Sequence, residues 1–275
     1  DGKEKVLSRF AYQTGRLKVS RHLERLYWSE SSTDERWSLE SRSRIRYMNL
    51  SSKTDRTLTG PERLLHNPDI NPESSLVATV EYSADGRSAL TVVNGVSGDV
   101  SVSVPGPKGV QLVETAWIGD DLLATGLTDE GYGIYGYADG RWRTVLEPQP
   151  VMIKDFQAHG DEVMFTSDRT GVNELYHLDP STGSLRQKTV TRYGASDFAY
   201  DDSGKYLYYS SQTLKGMKLF RTAVEDLVDR EADFTQRHRW TIAEEMARQE
   251  KELARKDGFE EAVTEVDVDF SQPRR

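Results

Sequence analysis

The sequence predicts an all-β protein: a β-propeller of about five or six four-stranded blades, with a short helical segment near the C-terminus. Three observations carry this. Short runs of β-branched and aromatic residues alternate with Gly, Pro, Asp and Ser clusters, as in antiparallel hairpins. The runs recur in the same order, four to a group. The groups sit roughly 40 to 50 residues apart at their first turn, a blade spacing and not that of a helical repeat.

The plainest copy spans 151–193. Ile153–Phe156 leads through the turn His159-Gly160-Asp161 to a strand over Val163–Ser167. After Asp168–Gly171 come a strand over Glu174–Leu178, the turn Asp179–Gly183 and a last strand near Leu185–Thr191. The next copy, 194–225, repeats this with Asp197-Phe198, a turn at Asp202–Gly204, Tyr206–Ser210 and Lys218–Thr222. Upstream, 106–150 uses Ala116-Trp117, Leu122–Thr125, Gly133–Tyr137 and Arg141–Val145. The copy at 61–105 uses Asp69-Ile70, Leu76–Val80, Ala89–Val93 and Val100–Val104. The first, 15–60, uses Leu17–Val19, Arg25–Trp28, Ile45–Met48 and Arg56–Leu58, with polar Glu30–Ser43 expected as a surface insertion.

The domain expectation is therefore a propeller over 1–225, a charged helical extension over 226–258 and a C-terminal strand over 259–275. In the extension, Thr241 and Glu244 have capping-box spacing, and Ala243, Met246, Ala247, Glu250, Leu253 and Ala254 follow helical periodicity. Val263–Phe270 alternates apolar and polar residues, so it is expected either to close the propeller or to lead to a further domain. Glu4–Tyr12 resembles an outer strand whose blade is otherwise missing, which points to an excerpt of a longer chain.

Composition narrows the function classes. At 36% hydrophobic and 29% charged the 275 residues have enough apolar content for a core. A net charge of -9 repels phosphate backbones and makes nucleic acid a poor partner. The chain has no cysteine, which excludes disulfides and thiol chemistry. No run of about 18 apolar residues offers a transmembrane helix.

Phe165–Gly171, Glu174-Leu175-Tyr176 and Asp179–Gly183 resemble the repeat of TolB-like propellers and, more distantly, the propeller of dipeptidyl-peptidase IV. Across the copies the resemblance covers about four-fifths of the chain, although Asn71–Ser74 and His159–Asp161 depart from the usual first turn. It implies a periplasmic, outer-membrane-associated or secreted protein of a Gram-negative bacterium, often one module of a longer chain. It also implies protein or peptide partners, with association with outer-membrane proteins among the options, and leaves the oligomeric state open.

Catalytic motifs are missing. Gly95-Val-Ser-Gly98 lacks the spacing of a nucleophile elbow, and the histidines at 22, 66, 159, 177 and 238 are scattered over different copies with no zinc-peptidase pattern. The segment is therefore read as non-enzymatic. Candidate binding residues are Asp69, Asp155 and Asp197, which precede Ile70, Phe156 and Phe198 on the strands expected to line the central channel. They suit a cation or the basic part of a peptide, the competing reading being acceptance of hydrogen bonds from the adjacent turns. No cofactor is expected, a calcium ion at these carboxylates being the one candidate. Tyr132, Tyr135, Tyr137 and Trp142 fit either a binding face or packing between blades.

The expected function is thus a non-catalytic binding module for protein or peptide partners in the bacterial cell envelope. The alternatives are a substrate-gating accessory domain of a peptidase, and a cation- or glycan-binding propeller.

Overall fold

The computed structural model describes residues 6, 8–10, 12–37, 40–201, 203–235 and 241–256. They belong to two units, residues 1–237 and 238–275.

The first unit is a five-bladed propeller with every pairing antiparallel. In blade 1, β1 (Gln13–Thr14) and β2 (Lys18–Ser20) share the inner position against β3 (Arg25–Thr33), followed by β4 (Ser41–Asn49) and β5 (Asp55–Thr57). Blade 2 is β6 (Leu64–Ile70), β7 (Leu76–Tyr82), β8 (Ser88–Asn94) and β9 (Val100–Pro105). Blade 3 is β10 (Gln111–Ile118), β11 (Asp121–Thr128), β12 (Gly131–Ala138) and β13 (Arg141–Gln149). Blade 4 is β14 (Ile153–His159), β15 (Glu162–Ser167), β16 (Glu174–Leu178) and β17 (Leu185–Gln187). Blade 5 has three strands among the described residues, β18 (Ser196–Tyr200), β19 (Tyr206–Thr213) and β20 (Gly216–Ala223).

Short polar side chains set the hairpin turns. The Asp179 carboxylate accepts the amide protons of Ser181 and Thr182 and both their hydroxyl protons, and Gly183 supplies the left-handed φ of 74° that closes the loop. These bonds, those of Ser181 and Thr182 foremost, pull Asp179 down to about 2. Asn94 forms the matching turn in blade 2, accepting from the amides of Val96 and Ser97.

Strand periodicity places successive side chains on opposite faces, so one blade can pack against a neighbour on each side. Val77 and Val93 face Tyr27 and Ile45 of blade 1, whereas Ala78, Val80 and Leu90 face Leu112 and Trp117 of blade 3. Phe156, Phe165 and Tyr176 join Leu123 and Ile134 at the next junction, and Met164 and Leu175 meet Phe198 and Leu207 at the last. Burying side chains of this size contributes about 1.5–3 kcal/mol each. Among the described residues no such core joins blade 5 to blade 1.

Two expectations change here. Glu30–Ser43 is mostly the extension of one hairpin, because β3 and β4 pair as far as Thr33 and Ser41. Buried Glu30 ties this ladder together through Arg44 at 2.6 Å and Arg46 at 3.2 Å. The stretch after 225 is also not all helical extension. A 3₁₀ turn (Val224–Asp226) leads to β21 (Arg230–Glu231), which pairs with β17, and Phe234 buries its ring edge-on against Phe165 and Tyr176.

The described helix of the second unit is α1 (Thr241–Lys256), within the expected span and held on its surface by Arg248 between Glu245 and Glu252. The strand expected at Val263–Phe270 lies outside the described residues, as does part of Glu4–Tyr12. Among the described residues no helix is long and apolar enough to cross a membrane.

Candidate functional site

The innermost strands β2, β6, β10, β14 and β18 are neighbours in that order, and the innermost strands of a propeller face its central channel. Four carry a bulge at the same height. The register skips between His66 and Asp69, Leu112 and Thr115, Lys154 and Gln157, and Ser196 and Ala199. Two residues then oppose one: Asn67-Pro68, Val113-Glu114, Asp155-Phe156 and Asp197-Phe198. Blade 1 breaks its inner strand at the corresponding place, Gly15–Leu17 between β1 and β2.

The bulge explains why Asp recurs. Asn67, Asp155 and Asp197 have φ of 50°, 57° and 50°, the left-handed region that Asn and Asp enter more readily than other side chains. Asn67, and not Asp69, is therefore the counterpart of Asp155 and Asp197. Asp69 lies two residues on, level with Thr115, Gln157 and Ala199. Its carboxylate is buried, ion-paired to Lys18 Nζ at 2.7 Å and accepting the Trp117 amide proton at 2.9 Å. It links three blades.

Around the channel the bulges exchange hydrogen bonds. Asn67 Nδ2 donates to the Val113 carbonyl at 2.8 Å, the Phe156 amide donates to Glu114 Oε2 at 2.6 Å, and Gln157 Nε2 donates to the Phe198 carbonyl at 3.0 Å. Arg16 Nη1 reaches the Phe156 carbonyl at 3.3 Å. A small cavity is lined by Arg16, Lys18, Asn67, Glu114 and Phe156.

Burial raises the Glu114 carboxyl above its ordinary value. The Phe156 amide, Arg16 and Lys18 oppose the shift, and nearby Asp155 adds to it. One Asp155 oxygen is itself buried without a hydrogen-bond partner among the described residues. Asp197 is more exposed and accepts from the Ser210 hydroxyl.

Arg16, Lys18 and Glu114 were not singled out from sequence. No sequence signal marked them, because the slot that Glu114 shares with Phe156 emerges only once the strand register is known. Among the described residues no three His, Cys, Asp or Glu side chains form a group suited to a metal ion, and Asp69, Asp155 and Asp197 do not make one.

The aromatic set of blade 3 packs between blades. Tyr135 is buried, Tyr132 lies against the core shared with blade 4, and Tyr137 and Trp142 lie against the core shared with blade 2. The Trp142 indole donates to the Pro105 carbonyl at 2.9 Å. Two of the scattered histidines do meet. His177 Nδ1 bonds Glu162 at 2.7 Å and its Nε2 bonds the Tyr200 hydroxyl at 3.2 Å, while His159 stacks on Tyr200 at 4.0 Å. Burial outweighs the carboxylate and lowers His177 to about 4. His238 lies outside the described residues.

No model of a protein family matches this sequence, and no curated protein matches it. Solved structures do share its fold. The structure of a putative TolB from Agrobacterium tumefaciens superposes with a TM-score of 0.65 at 14% identity, covering 82% of this chain and 83% of that one. TolB from Acinetobacter baumannii gives 0.55 at 16% identity over 69% of this chain, which spans 48% of that protein. A puromycin hydrolase gives 0.56 at 10% identity over 80% of this chain and 37% of the hydrolase. These likenesses show that the chain shares a β-propeller fold with the TolB structures and with part of the puromycin hydrolase.

Proposed function

We propose that this chain is a non-catalytic binding propeller for a protein or peptide partner in a bacterial cell envelope, and that the partner offers a cationic side chain to the channel. The observation that carries this reading is the buried Asp155 oxygen without a hydrogen-bond partner. A buried acceptor without a donor is costly, and a lysine or arginine entering the channel relieves that cost. Asp197, in the same bulge position of the next blade, supplies a second and more accessible carboxylate. The likeness of fold to two bacterial TolB structures supports the envelope setting.

The test is selection of a random peptide library on the immobilised protein and on an Asp155→Asn, Asp197→Asn double variant, which keeps side chains that tolerate the left-handed backbone. The reading predicts lysine- or arginine-bearing sequences enriched on the wild type and lost on the variant. No enrichment, or equal enrichment on both, contradicts it.

A second reading is a gating domain for a peptidase, favoured by the likeness to the puromycin hydrolase and to a prolyl endopeptidase with a TM-score of 0.53. It requires a hydrolase domain encoded beside these residues or a separate hydrolase that co-purifies with the chain. Finding neither sinks it.

A further inference from the structure

In the two blades whose bulge carries an aspartate, the facing strand carries a hydroxyl. Lys154 of β14 pairs with Thr166 of β15 just before the Asp155 bulge, and Ser196 of β18 pairs with Ser210 of β19 just before the Asp197 bulge. The same place holds Val80 in blade 2, where the bulge begins with Asn67, and Gly126 in blade 3, where it begins with Val113. The hydroxyl therefore goes with the carboxylate. In blade 5 the two are joined, Ser210 Oγ donating to Asp197 Oδ2 at 2.5 Å.

In blade 4 the corresponding atoms are not joined. Thr166 Oγ1 and Asp155 Oδ2 are both buried without a hydrogen-bond partner among the described residues, and Thr166 is 0% exposed. Asp155 forms no ion pair among the described residues, and neither does Lys154, which lies opposite Thr166 in the ladder. Each orphaned atom has given up its hydration for nothing. A group that donates to both offsets the two costs together.

We infer that Asp155 and Thr166 together receive a lysine ammonium of the partner, and that Thr166 is the residue that selects lysine over arginine. The inference rests on the channel reading above and narrows it. An ammonium is compact and its three N–H donors diverge, so it can serve a carboxylate on β14 and a hydroxyl on β15 at once. A guanidinium is a planar fork matched to the two oxygens of one carboxylate, whereas the second acceptor here is a lone hydroxyl on another strand. A water molecule can also bond both atoms, but it leaves the Asp155 charge without a counter-charge.

The probe is a pair of N-acetylated random peptide libraries, one with lysine as its only basic residue and one with arginine, so that in the first the lysine side chain offers the only ammonium. On the immobilised full chain the lysine library is enriched about tenfold more than the arginine library, the effect of one hydrogen bond to a charged group. Thr166→Val keeps the shape of the side chain, removes the hydroxyl and loses this preference, and Thr166→Ser retains it. In urea unfolding without peptide, Thr166→Val has a midpoint equal to or above that of wild type, because it removes a buried hydroxyl that has no partner. A merely structural Thr166 would lower the midpoint and leave the preference intact. The inference is overturned if the arginine library is enriched as strongly, if Thr166→Val keeps the preference, or if Thr166→Val lowers the midpoint, the hydroxyl then being bonded by a held water or by Lys154. The channel reading survives each of these outcomes where enrichment is lost on the Asp155→Asn, Asp197→Asn variant. If neither library is enriched on wild type, both fall.

Discussion

Glu114 in blade 3 and Phe156 in blade 4 are joined by a 2.6 Å hydrogen bond from the Phe156 amide to a carboxylate that burial holds above its ordinary pKa. The folded state therefore binds the Glu114 proton more tightly than the unfolded chain. Ionisation costs stability, and the cost grows as pH rises from the ordinary carboxylate range through the folded value. Glu114→Gln keeps an acceptor and removes the titration. Its stability relative to wild type should improve with pH over that interval and stay level above it, measured by urea unfolding from about pH 4 to pH 8. A constant difference would remove Glu114 as the source.

His177 has the opposite sign. Its folded value, about 4, lies below the ordinary 6.5, so the unfolded chain binds the extra proton between the two. The stability from neutral His177 is fully present above pH 6.5 and is lost as pH falls toward 4. The loss amounts to about 3 kcal/mol at most, from 1.36 kcal/mol per pKa unit. Substituting His177→Gln should flatten this part of the stability profile. A profile as steep as wild type would place the titrating group elsewhere.

Asp155 is a backbone residue as well as a carboxylate. With φ of 57°, Asp155→Asn should be nearly neutral in stability, whereas the β-branched Asp155→Val should cost about 1–3 kcal/mol. Thermal unfolding of the pair distinguishes the roles. Equal losses would mean that the charge, and not the left-handed bulge, sustains this position.

The Gly95 carbonyl accepts both the Tyr27 hydroxyl at 2.8 Å and Arg25 Nη1 at 2.7 Å, fastening blade 1 to blade 2. A β-carbon at Gly95 would stand 2.8 Å from the Ser75 carbonyl oxygen, a backbone atom that cannot turn aside. Gly95→Ala should cost about 1–3 kcal/mol by overpacking, and Tyr27→Phe about 1 kcal/mol by loss of one hydrogen bond. Chemical denaturation of the two variants checks both values. An unchanged Gly95→Ala would show that blade 2 can shift at this contact.

The propeller was legible because its turns are written in residues with local reasons to turn. Asp179 and Gly183 mark a hairpin wherever they fall, and the runs between such marks have strand length. The bulges were not legible. A register skip leaves no trace in composition, so Asp69 lined up with Asp155 and Asp197 although Asn67 is their counterpart. Glu30 stood in a stretch that resembled a surface insertion because its cross-strand ion pairs with Arg44 and Arg46 cannot be seen before the strands are paired. Phe234 stood in a charged stretch, and only the fold shows that it fills the space beside Phe165 and Tyr176.

The channel account turns most directly on calorimetric titration of a cationic peptide returned by library selection into the wild type and the Asp155→Asn, Asp197→Asn variant. The account predicts binding to the wild type that weakens with salt and falls about tenfold or more in the variant, with the unfolding midpoint unchanged. Equal affinity for the two proteins would contradict it.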